Sequence, residues 1–197
     1  TALGSPSRYL FADKSRFPAM TYAQLQFIKA EAALRMNDRA TALQAYTNGV
    51  SSHIDFVNAR NADDGQSPTP ISATEKANFL ANTTIVPTDP NQLTMTMIMS
   101  QKYIAQWAWA FVEQWMDLRR FHYTEAYGSE TQQAFPGFAP PTNLYVDNAG
   151  KIAYRIRPRF NSEYVWNADA LRAIPTGDPE GGLAPDYHTV ELWITQP

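Results

Sequence analysis

Glu113 and Asp117 stand one helical turn apart, with Arg120 three residues further on. Two carboxylates that flank a sugar can hydrolyse a glycosidic bond, one as acid and one as base or nucleophile. Carboxylates on adjacent turns of one helix more commonly pair with a nearby arginine, and that structural role is preferred here. Arg155, Arg157 and Arg159 alternate along an extended segment and so share a face. Such a face suits an anionic ligand, or it ties the chain to acidic helix positions through bidentate carboxylate contacts. The second role is preferred, with Ser162-Glu163 helping to anchor the same segment.

Other chemistries find less support. His53, His122 and His188 are scattered, without the H-x-x-x-H spacing of a helical zinc site. Asp63-Asp64-Gly65 begins like a calcium loop but lacks the further acids that such a loop needs. There is no G-x-S-x-G elbow, and Gly181-Gly182 is followed by neither a helix nor Lys-Ser/Thr, so it is not a phosphate cradle. Cysteine is absent, which removes disulfides, thiolate zinc sites and cysteine nucleophiles together. No catalytic residue, metal ligand or cofactor is assigned.

Aromatic residues make up 13% of the chain, with 5 Trp, 10 Tyr and 10 Phe. That density fits a packed aromatic core or a surface that stacks flat ligands. Trp107, Trp109 and Trp115 are read as core, with Trp109 the exception because it leaves the main apolar stripe. Phe135, Phe138 and Tyr145 lie in or beside a Pro-rich loop, where an aromatic face can meet the C–H face of a sugar. Anchoring of that loop by burial is the equal alternative. Phe135, Phe138, Tyr145 and Trp109 are therefore the candidate ligand-binding residues.

The elements that must position them are mostly helical. Of 197 residues 44% are apolar and 18% charged, a globular balance, and the net charge is −3 with no basic block. Nucleic-acid binding, which needs a concentrated positive face, is thereby disfavoured. No apolar run approaches the ~20 residues that span a bilayer. Thr21 is a fitting N-cap for a helix over 21–36, and Asp38 caps a second helix to about residue 58. Ala30, Ala33, Asn37-Asp38, Ala42, Tyr46 and Gly49 fall at tetratricopeptide offsets, so residues 20–58 are read as a tetratricopeptide-like pair. Ser72 and Glu75 form a capping box for a short helix over 72–81 inside a polar insertion.

Residues 93–121 read as one long helix, buried nearly all round, with Met97, Ile104, Phe111 and Leu118 in line at spacing seven. Residues 122–197 form a loop-rich tail. In it, 144–146 and 152–156 alternate around Asp147-Asn148-Ala149-Gly150 and predict a small β-hairpin.

Three stretches, in order, resemble the C-terminal half of the SusD/RagB family. The first is Met20-Thr-Tyr-Ala-Gln-Leu-Gln-Phe-Ile-Lys-Ala-Glu-Ala, followed by the A-x-x-x-Y-x-x-G-V pattern that ends at Val50. The second is Ile98-Met-x-Gln-Lys-Tyr-Ile104 running on to Trp115-Met-Asp-Leu-Arg-Arg120. The third is Arg157-Pro-Arg-Phe-Asn-Ser-Glu-Tyr164 with Asn167, closing on Asp186-Tyr-His and Leu192-Trp193. Asn161 and Phe121-His-Tyr depart from the common family residues at their positions.

The resemblance implies an α-helical body built on tetratricopeptide-like hairpins, with long loops packed on one side. Together with the long buried helix and the small β-hairpin read above, the expected fold is mainly α with long irregular loops. It implies a single domain, 1–197, that is the C-terminal part of a longer lipoprotein with its lipid anchor upstream. It implies a surface-exposed outer-membrane protein that captures a glycan, or alternatively an oligopeptide, for a SusC-like TonB-dependent transporter. An all-α glycoside hydrolase and a pure protein-docking module are the rival expectations from other classes.

Overall fold

The computed structural model describes residues 17–60, 69–156 and 161–196. The chain divides into two compact units, one of residues 1–117 and 125–136, the other of 118–124 and 137–197. The architecture is mainly helical, as expected.

Among the described residues the first unit opens with α1 (Tyr22–Arg35) and α2 (Arg39–Arg60). Thr21 Oγ1 accepts the Gln24 N–H at 3.1 Å, and Asp38 Oδ1 accepts the Thr41 N–H at 3.2 Å. Both helices therefore begin where short polar side chains satisfy amides left over at a helix start. Between them Asn37 takes φ 59°, a left-handed value that asparagine tolerates better than most residues. The hairpin closes over small residues: Ala30 and Ala42 are wholly buried. Phe27 meets the Tyr46 ring edge-on at 6.1 Å. Gly49 lies directly against Phe27, where a Cβ would come within 2.8 Å of its ring. The Tyr46 hydroxyl donates to the Ile85 carbonyl at 2.7 Å, and burial pushes its pKa up.

Helix α3 (Ala73–Leu80) starts at the expected capping box of Ser72 and Glu75. Lys76 links it to α2 through Asp55 at 2.6 Å.

The expected single helix over 93–121 is two helices, α4 (Met95–Gln106) and α5 (Phe111–Arg120). The break carries neither glycine nor proline. Instead Ala108 takes φ 69°, and the Trp109 and Ala110 N–H groups both donate to the Gln106 carbonyl. In one straight helix Lys102 and Asp117 would stand about 22 Å apart along the axis. Here their charged groups meet at 2.6 Å, both side chains only 5% exposed. Burial all round is likewise corrected. Ile104 and Phe111, two of the four residues in the apolar line, are exposed. Ile98, Met99, Lys102, Ala105 and Gln106 form the buried side of α4.

The second unit begins within α5, whose residues 118–120 belong to it. His122 and Tyr123 follow with φ 42° and 64°, and the Tyr123 N–H returns to the Leu118 carbonyl. The expected β-hairpin is absent, and no β-strand occurs among the described residues. Val146–Asn148 is a 3-10 turn, and the Tyr154 and Arg155 N–H groups donate to the His188 carbonyl at 2.7 and 3.0 Å. The segment that would have paired locally is thus bonded to the C-terminal region. Arg155 extends that attachment: Nε donates to the Val190 carbonyl at 2.8 Å and Nη2 to the Glu191 carbonyl at 2.6 Å. It ties the tail down through backbone oxygens where carboxylates were expected; Arg157 and Arg159 lie outside the described residues. Two short helices, α6 (Asn161–Tyr164) and α7 (Ala168–Arg172), come between. Gly181 presses on the Arg172 carbonyl at the end of α7, with φ 53°, so both space and backbone require glycine.

Candidate ligand-binding site

In the first unit, the break after α4 turns aromatic side chains toward α2. A cleft of about 370 Å³ results, lined by His53, Val57, Tyr103, Ile104, Trp107 and Trp109. Its volume lies at the small end of the range of small-molecule pockets. Trp107 and Tyr103 are each about half exposed and form the accessible aromatic surface.

Trp109 is the fixed base. It is 6% exposed, with Phe17 at 5.7 Å and Phe56 at 6.0 Å edge-on, and the Arg60 guanidinium 4.7 Å above its ring. Three neighbours on one indole leave it little freedom, so the wall is held ready before any ligand arrives. Tyr103 is backed by Phe135, edge-on at 6.5 Å. His53 stacks on Phe56 at 6.4 Å, and burial lowers its pKa below the ordinary imidazole value. It is therefore neutral at pH 7 and offers one donor and one acceptor. Among the described residues no carboxylate, lysine or arginine lines the cleft.

The sequence-derived candidates separate. Trp109 reaches the cleft as its buried base, and Phe135 is buried behind Tyr103. Phe138 and Tyr145 belong to the second unit. Phe138 stacks on Tyr123 at 5.6 Å, and Tyr145 is exposed with its ring tilted against His188. Tyr103 and Trp107 are not among those candidates, and Trp107, read from the sequence as core of an unbroken helix, is half exposed in the cleft. Glu113 is exposed, whereas Asp117 is buried on Lys102, so the two carboxylates do not flank a common space. Among the described residues no group of three His, Cys, Asp or Glu could hold a metal ion. Asp63-Asp64-Gly65 lies outside them.

A second hollow of about 390 Å³ beside α3 is lined by Ile54, Thr69, Pro70, Ile71, Glu75, Lys76 and Phe79. Its charged groups are already engaged, Glu75 by Ser72 and Lys76 by Asp55.

The profile of a SusD-like family, described as "Starch-binding associating with outer membrane", matches residues 5–141. The match covers more than half of the chain, and the chain belongs to this family. No curated protein and no solved structure matches it. Among the described residues no helix is long and apolar enough to cross a membrane.

Proposed function

We propose that the protein captures a neutral glycan at the outer-membrane surface, without cleaving it, and passes it to a SusC-like TonB-dependent transporter. The observation that carries this reading is the cleft: two half-exposed aromatic rings beside one neutral imidazole, with no charged group among the described residues of its lining. A pyranose presents an apolar C–H face suited to Trp107 and Tyr103, and hydroxyls suited to His53. The starch-binding description of the family supports the choice of glycan over peptide. Hydrolysis would require two carboxylates across a sugar, and the described residues of the lining include none. The transporter, the lipid anchor upstream and exposure at the cell surface rest on the family resemblance.

Affinity electrophoresis of the full-length protein through gels containing neutral and acidic polysaccharides tests this reading. Retardation by a neutral glycan whose chain length is unchanged afterwards is the expected result. Shortening of the glycan overturns the non-catalytic reading. Absence of retardation in every gel overturns glycan capture and turns the search to oligopeptides.

A further inference from the structure

Two buried glutamines flank the bend between α4 and α5, Gln106 at the end of α4 and Gln114 within α5. Gln106 is 2% exposed and Gln114 7%. On each, both the amide nitrogen and the amide oxygen are buried without a hydrogen-bond partner. Protein interiors seldom leave such groups unsatisfied, and where side chains do not pair them, ordered water does.

The surroundings define what can sit there. Lys102 lies one turn before Gln106 on α4, and Asp117 lies three residues after Gln114 on α5. Residues three or four apart share a helix face, so the 2.6 Å Lys102–Asp117 pair draws both amide-bearing faces to the inside of the bend. A metal cation there would meet the Lys102 ammonium, and an anion would meet the Asp117 carboxylate. The pair is neutral as a unit, and the two amides together offer donors and acceptors. The matching occupant is small, uncharged and able to donate and accept at once.

We propose that the bend is an internal hydration site, in which one or more ordered water molecules bridge the Gln106 and Gln114 amides. The water completes hydrogen bonding that the side chains leave open, and it belongs to the fold as the Lys102–Asp117 pair does. The residues of the bend itself, Trp107 and Trp109, line the cleft.

The first test is a crystal structure of the full-length protein at a resolution that shows ordered solvent. A water peak within hydrogen-bond distance of both amides is expected. The two amides bonded directly to each other, or a dry contact, would overturn the proposal. The second test is oxygen-17 relaxation dispersion in solution, comparing wild type with the double variant Gln106→Leu, Gln114→Leu. The signal from long-lived internal water should fall in the double variant, and an unchanged signal counts against the site. If the double variant does not fold, the wild-type crystal structure decides alone.

Discussion

Glu130 accepts the Met95 backbone N–H through Oε1 at 2.7 Å, so a residue 35 positions downstream closes the start of α4. Its other oxygen lies 3.3 Å from the Thr96 hydroxyl, and that hydroxyl also reaches the Gln133 carbonyl at 3.2 Å. The loop that supplies Phe135 to the back of Tyr103 is thereby fastened to the helix that carries Tyr103.

Replacing Glu130 with alanine should cost about 0.5–2 kcal/mol, the usual range for loss of a helix cap. Glu130→Gln should cost less, because an amide oxygen still accepts the Met95 N–H. Urea midpoints of the two variants check the order. Equal loss in both would mean that charge, not acceptance, holds the loop.

Trp107 and Trp109 should fail in different ways. Trp107→Ala should abolish retardation in a glycan gel and lower the melting temperature less than Trp109→Ala does, because half of its ring is exposed. Trp109→Ala should cost about 3–5 kcal/mol, since it empties a buried indole site under Phe17, Phe56 and Arg60. Thermal melts run beside the gels separate the two effects.

His53 should give stability a dependence on acidity. Burial holds its folded pKa below the ordinary 6.5, so the unfolded chain takes up the proton first. Stability is complete above pH 6.5 and falls as the pH drops through that value toward the lower folded pKa. Melting curves from pH 7.5 down to about 5 should show this loss, and His53→Gln should show a smaller one.

Gly49→Ala sets two effects against each other. Alanine in a helix interior is favoured over glycine by about 1 kcal/mol. A Cβ 2.8 Å from the Phe27 ring overpacks the hairpin, which typically costs about 1–3 kcal/mol. The clash should win, and Phe27→Leu in the same chain should recover part of the loss. Denaturation of both variants checks the sign.

The parts of the fold that were legible are those whose cause is local. Thr21, Asp38 and the Ser72–Glu75 box each announce a helix start within three residues of sequence. The break at Ala108 has no such marker, because Trp-Ala-Trp-Ala suits a continuing helix. What accompanies it is distant in sequence: the grip of Phe17, Phe56 and Arg60 on Trp109, and the attraction of Lys102 for Asp117. The missing hairpin has the same origin, since the His188 carbonyl takes the Tyr154 and Arg155 amides from far along the chain. The cleft follows from the break, so reading 93–121 as one helix concealed Trp107 and Tyr103. A lysine and an aspartate among apolar neighbours, out of reach of each other on a straight helix, was the available signal.

Arg155 gives the second unit a clasp, because its guanidinium holds the carbonyls of Val190 and Glu191 across separations of 35 and 36 residues. The chain between is a tied loop whose ends stay together without its own continuity. A protease that cuts after the exposed Arg172 should therefore leave two pieces that travel as one particle, parting only when the clasp is undone by denaturant. A nick there is a break in connectivity and not in architecture.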